Sequence, residues 1–289
     1  MLSSVSILAW LTLSPSQIQE ISGSVFFSVL SLSNLYFIDF VDYFAPSAEY
    51  VMLLHTWSLG VEEQFYLLFP LIAFIAYRNL GKSGFWAVVL ILLVVSFAIS
   101  EWGLRNEPRA NYFFSPSRFW EILLGAVAAL WCSSHDTKGN DPLAAMGLAA
   151  LCLTFFIYDD SILFPSYYAL APTIGTVLVL TYARGSTMTA KLLQYRPLRS
   201  VGLISFSAYL WHQPVFVFAR LDGYKTSESL TAVALIAVIL LLYALSWRFV
   251  EQPFRTTQTP VILLRAPVLW MTAVGLTALS DEISTKVST

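Results

Sequence analysis

His55-Thr56-Trp57-Ser58-Leu59-Gly60-Val61-Glu62-Glu63-Gln64-Phe65-Tyr66-Leu67-Leu68-Phe69-Pro70-Leu71 sets the terms on which the rest of the chain has to fold. An apolar run here carries two adjacent carboxylates, an amide, a hydroxyl and aromatic polar tips. An ionisable group at the centre of a bilayer costs roughly 3 kcal/mol or more, so polar groups at this density need protein around them. At helical spacing Ser58, Glu62 and Tyr66 share one face, Glu63 lies about 100° around, and Gln64 points elsewhere. The polar band wraps the helix, which suits a helix surrounded by other helices.

The composition agrees. Of 289 residues, 57% are hydrophobic and 12% charged, about half the roughly 25% charge of an ordinary globular protein. The apolar residues come in long runs, so the fold class expected is all-α: a polytopic helical membrane protein forming a single integral-membrane domain over residues 1–289. A net charge of -2 and a pI near 5.9, without a basic cluster, give no hint of a nucleic-acid partner, and none is expected. Cys132 and Cys152 lack metal-type spacing and read as reduced packing residues, and no metal site is expected.

A span needs about 20 helical residues. Leu2 to Leu13 is too short and reads as the stump of a helix. About nine crossings follow: Ile18 to Ile38, Thr56 to Tyr77, Phe85 to Ser100, Arg118 to Ser133, Pro142 to Tyr158, Ser166 to Ala183, Val201 to Ala219, Leu230 to Val250 and Ala266 to Ser280. Charge orients them. The loops with Arg78 and Lys82, with Arg184, Lys191, Arg196 and Arg199, and with Arg255 and Arg265 are basic without acid, which assigns them to the cytoplasmic side. The Ser133 to Asp141 loop falls on that side by alternation. The loops around Asp39 to Glu49, Glu101 to Arg109, Asp159 to Asp160 and Arg220 to Glu228 then face outward, as does the C-terminus.

Three further polar groupings stand out. Arg118 and Glu121 are three apart on one helix face, with Gly125 a turn further on to allow close helix approach; Arg118 alternatively bridges to Glu62 or Glu63. Ser205, Tyr209 and His212 share a face in the run that includes Trp211, and Pro214 frees a carbonyl one turn back. His212 is the histidine set within an apolar span, where it serves as general base or as hydrogen-bond anchor; His55 is placed at the outer mouth. Arg248 and Glu251 repeat the i, i+3 pairing, more simply as an anchor than as chemistry.

These motifs, in this order, resemble acyltransferase family 3, integral membrane proteins that O-acylate bacterial surface sugars such as lipopolysaccharide, peptidoglycan and exopolysaccharide. The resemblance rests on Ser33-Asn34-Leu35-Tyr36-Phe37, on the stretch from His55 to Leu71, on Ser117 to Gly125, on Ser205 to Pro214 and on Arg248 to Arg255. It implies a multi-pass protein of the bacterial inner membrane moving an acyl group, acetyl by preference, from cytoplasmic acyl-CoA to a saccharide hydroxyl. Acyl-CoA is then a co-substrate, with no bound cofactor, and the partners are membrane lipid and the saccharide acceptor. The expected catalytic residues are Glu62, Glu63 and His212. The expected substrate-binding residues are Trp57, Ser58, Gln64, Tyr66, Arg118, Glu121, Tyr209 and Trp211, with Arg248 and Glu251 in support. Arg184, Lys191, Arg196 and Arg199 meet CoA phosphates or simply mark the cytoplasmic side. The resemblance also implies earlier helices bearing a histidine and arginines, and in some relatives an outer esterase-like domain; this chain is expected to lack both. The alternatives are a catalytically inactive remnant, or a transporter or flippase of acyl or glycan carriers.

Overall fold

A computed structural model describes residues 1–40, 46–159, 162–226 and 228–252. All regular structure among them is helical. In order the helices are α1 (Leu2–Thr12), α2 (Pro15–Val29), α3 (Ser33–Phe40), α4 (Thr56–Asn106), α5 (Pro108–Phe113), α6 (Ser115–Ser134), α7 (Asp141–Ile157), α8 (Leu170–Tyr182), α9 (Met188–Leu193), α10 (Arg196–Leu221) and α11 (Ser229–Ser246). A π-helical turn, Trp247–Glu251, continues α11. By length and composition two helices among the described residues can cross a membrane, Thr56–Asn106 and Ser229–Phe249, and a third if Arg196–Leu203 and Ser205–Leu221, bent by 54°, form one span. The expected crossing at Ala266 to Ser280 lies outside the described residues.

The chain divides into two compact units, residues 1–60 with 201–252 and residues 61–200. In the first, Val5, Val25, Met52, Leu53 and Val217 form the core, with Ile21, Trp211 and Phe218 packed against it. The expected crossing from Ile18 to Ile38 is instead two helices. Ser31 adopts a left-handed φ of 58°, and the Leu32 N–H reaches back to the Phe27 carbonyl, closing α2 before α3 begins. The break brings Ser33 and Asn34, both buried, onto the start of α4: Ser33 Oγ donates to the Thr56 carbonyl at 2.8 Å. A Cβ on Gly60 would stand 2.8 Å from Asn34 Oδ1, so glycine is what lets the two segments meet.

In the second unit α4 does not run straight. A 51-residue helix would reach about 77 Å, more than twice a bilayer core of about 30 Å. Gly81, at φ 68° and ψ -170°, interrupts it in a region that is essentially glycine-only. Phe65 and Val89 share one core with Leu123, yet along a straight helix they would be about 36 Å apart, so the chain doubles back at Gly81. This is the division expected between Tyr77 and Phe85. Ser96 joins the returning half to α6: its hydroxyl accepts from Trp120 N–H at 2.8 Å and donates to the Pro116 carbonyl. Helices α7 and α8 meet at glycines, a Cβ on Gly147 falling 2.6 Å from the Gly175 carbonyl. Gly125, by contrast, meets nothing within 4 Å, so it is no close-approach point and opens instead onto a cavity.

Candidate functional site

In the first unit a polar cluster forms where the start of α4 meets the middle of α10. Thr56 opens α4: its hydroxyl donates to the Leu53 carbonyl at 2.7 Å and lies 2.8 Å from Ser28 Oγ. Ser58, on the first turn, lies 2.8 Å from the Tyr209 hydroxyl, which in turn donates to the His55 carbonyl. A carbonyl only accepts, so the Tyr209 proton is committed to it, and Ser58 must donate to the phenol oxygen. Ser58 and Tyr209, expected among the substrate-binding residues, are thus in direct contact.

His212 stands one turn on from Tyr209 and its Nδ1 contacts the Tyr209 carbonyl. The same rule puts the proton on Nδ1 and leaves Nε2 with the lone pair. His55 completes the cluster, its ring 5.3 Å from that of His212 and 5.4 Å from that of Tyr209. Only 6% exposed, it has no hydrogen-bond partner at either ring nitrogen among the described residues. Burial, reinforced by the neighbouring His212, holds its pKa down to about 3, so it is a neutral imidazole. The Leu210 carbonyl weakly opposes that shift. Pro214 has no N–H to offer the Leu210 carbonyl one turn back.

Read from sequence, His55 belonged at the mouth; here it is walled in. Its burial follows from Met52-Leu53-Leu54, all buried just before it, an apolar triplet that was the available signal. Trp57 is half-buried on the first turn of α4. Trp211, expected at the substrate, donates its indole N–H to Ser246 Oγ at 2.8 Å and so ties α10 to α11. Gln213 similarly donates to the Val51 carbonyl at 3.0 Å. Arg248 is exposed, and the Glu251 side chain lies outside the described residues, as does the pairing expected between them.

The remaining expected residues lie in the second unit. Glu62 is half-buried and Glu63 exposed, and neither carboxylate has a hydrogen bond or ion pair among the described residues. Gln64 Oε1 accepts from Ser115 Oγ at 2.5 Å, and Tyr66 is 57% exposed. Of the three carboxylates open to Arg118, Glu121, Glu62 and Glu63, the structure pairs it with Glu121, at 3.1 Å. Its Nε donates to the Tyr112 carbonyl at 3.2 Å, and the guanidinium lies 4.7 Å over the Tyr112 ring. Arg184, Lys191, Arg196 and Arg199 are all exposed.

Chemically, the first cluster offers an imidazole with a defined basic nitrogen, a second imidazole kept neutral beside it, and two linked hydroxyls. That equipment suits removal of a proton from an alcohol.

Residues 5–276 match the acyltransferase domain of the acyltransferase 3 family. The O-acetyltransferase OatA of Staphylococcus aureus (strain NCTC 8325) is 30% identical over 259 residues, which cover 83% of this chain and 42% of that protein. The putative peptidoglycan O-acetyltransferase YrhL of Bacillus subtilis (strain 168) is 27% identical over 275 residues, 87% of this chain and 42% of its own length. The chain therefore spans less than half the length of these relatives. No solved structure matches.

Proposed function

Because the chain belongs to acyltransferase family 3, we propose that it transfers an acetyl group from cytoplasmic acetyl-CoA to a hydroxyl of a cell-surface saccharide, as a multi-pass protein of a bacterial inner membrane. The thioester carbon gains the sugar oxygen and loses the thiolate; the hydroxyl proton needs a base and returns to the departing sulfur. His212 Nε2 is the base, its tautomer set by the Tyr209 carbonyl. The contact of His212 Nδ1 with the Tyr209 carbonyl, which leaves Nε2 unengaged by it, is the observation that carries the proposal. His55 lies against His212 as a neutral neighbour, and Tyr209 with Ser58 positions the imidazole. Glu62 and Glu63 serve positioning and charge balance.

Hydrogen bonds between loops support the topology. Arg220 pairs with Glu49 at 3.3 Å, linking two loops assigned to the outer side. Tyr167 N–H donates to Glu101 at 2.5 Å, linking two more on that side. Arg184 donates to Thr137 Oγ1 at 3.2 Å and Asn140 N–H to the Tyr182 carbonyl at 3.1 Å, linking the loops assigned to the inner side. Each link joins loops that alternation puts together.

The test is transfer of labelled acetyl from acetyl-CoA to surface polysaccharide in membranes bearing the protein. His212→Ala is expected to lower transfer by about 10²–10⁴-fold, as for loss of a general base. Unaltered turnover in both His212→Ala and Glu62→Gln would overturn the assignment, and movement of a carrier without covalent acetylation would make the protein a transporter.

A further inference from the structure

A small polar cavity in the unit of residues 1–60 and 201–252 shares no residue with the Ser58, Tyr209 and His212 cluster. Helices α2 and α3 run back along one another from the turn at Ser31. The Tyr36 and Phe27 rings stack at 5.1 Å, and a Cβ on Gly23 would stand 2.8 Å from the Tyr36 hydroxyl. At the open end of this pair lies a cavity of about 210 Å³. That is below the roughly 300–1,000 Å³ of sites for drug-sized molecules, so it admits a group of a few heavy atoms. Phe37 and Met52, both buried, belong to its apolar lining; Glu20, Ser24, Tyr36, Ser47 and Tyr50 supply polar groups.

Those polar groups are biased towards accepting. Ser24 gives its proton to the Ile21 carbonyl at 2.8 Å, and Tyr36 donates to the Glu20 carbonyl at 3.5 Å. Each hydroxyl therefore turns oxygen lone pairs, not a proton, to any further partner. Glu20 and Ser24 stand four apart on α2 and share a face. The Glu20 carboxylate, the charged group of the lining among the described residues, has neither a hydrogen bond nor an ion pair there. The nearest cation in sequence to the lining, Arg220 beside Leu221, is already taken. It pairs with the Glu49 carboxylate at 3.3 Å and donates to the Glu49 carbonyl at 2.7 Å, so it does not neutralise Glu20.

We propose that this cavity binds a primary ammonium group, presented by a membrane-lipid headgroup or by a small soluble amine. A primary ammonium carries one positive charge and three N–H donors, which one unpaired carboxylate and acceptor hydroxyls can meet. A quaternary ammonium brings the charge without the donors and leaves the hydroxyl oxygens unmet. Phosphates and carboxylates are repelled by Glu20.

The experiment places the full chain in nanodiscs of phosphatidylcholine, whose headgroup is quaternary, and titrates ethanolamine and choline with saturation-transfer NMR as the readout. Wild type is expected to bind ethanolamine at least about tenfold more tightly than choline. Glu20→Gln is expected to raise the ethanolamine Kd by about tenfold or more, with an unchanged melting midpoint because the carboxylate has no partner to lose. Ser24→Ala, which removes one acceptor, should raise it by about threefold. Phosphatidylethanolamine added to the discs separates the two sources. A rise in the wild-type melting midpoint that Glu20→Gln loses assigns the site to the lipid headgroup; ethanolamine binding without that rise assigns it to a soluble amine. Choline bound as well as ethanolamine, a wild type that responds to neither ethanolamine nor phosphatidylethanolamine, or responses that Glu20→Gln leaves unchanged overturn the proposal.

Discussion

Gly60 and Gly125 differ by what a methyl group would meet. At Gly60 it would press on buried Asn34 and come within 3.2 Å of the Ser31 carbonyl, whereas at Gly125 it would enter open space. Gly60→Ala is therefore expected to destabilise by about 1–2 kcal/mol, overpacking outweighing helix propensity, and Gly125→Ala to stabilise by up to about 1 kcal/mol. Thermal unfolding of both variants in one detergent measures the difference. His55 gives a pH signature. Its folded pKa, about 3, lies below the unfolded value near 6.5, so between them the unfolded chain binds the extra proton. Stability should be full above about pH 6.5 and fall as pH drops towards 3, losing on the order of 4 kcal/mol. His55→Phe should flatten that slope, and an unchanged slope would mean that His55 is solvated. The polar residues of the cluster were legible because Ser58, Tyr209 and His212 stand out against apolar neighbours. The burial of His55 was not, because it depends on α10 arriving from 150 residues away.

Helix existence followed from hydrophobic runs, and the ends of α6, α7 and α11 fell close to their expected places. The exception was Ile18 to Ile38, where no Gly or Pro stands at the break: the one glycine, Gly23, lies well before Ser31. Ser31 takes a conformation that serine seldom adopts, and what secures it is tertiary: Ser33 and Asn34 are needed against the start of α4. The serines make that stretch less apolar but do not locate the turn. The α7–α8 pair was foreseen as two helices without their point of contact. Gly147 and Gly175 lie backbone to backbone, each Cβ position within 3 Å of the other's carbonyl. Gly147→Leu should therefore separate the helices and cost several times what Gly125→Leu costs, as read by melting midpoints. Gly81→Val should cost about 1–3 kcal/mol through backbone strain alone, since nothing lies within 4 Å of its Cβ position.

For the whole molecule, charge alternation makes a labelling prediction. Single cysteines placed beside Arg78 or Lys191 should react with an impermeant thiol reagent only in inverted vesicles, and those beside Glu107 or Lys225 only in intact cells. Reaction of Glu107-loop and Arg78-loop cysteines from the same side would overturn the orientation. The hairpin at Gly81 bears on the order in which the protein is made. Its first arm brings Glu62, Glu63 and Gln64 to the membrane, while its second, through Val88-Val89-Leu90-Ile91-Leu92-Leu93-Val94-Val95, is almost pure hydrocarbon. A nascent chain stopped at Arg78 presents the acidic arm by itself and should partition poorly; one stopped after Ser100 presents both arms and should integrate, with glycosylation-site mapping as the readout. Gly81 would then act during synthesis as a splice between an arm that cannot enter alone and the arm that carries it in.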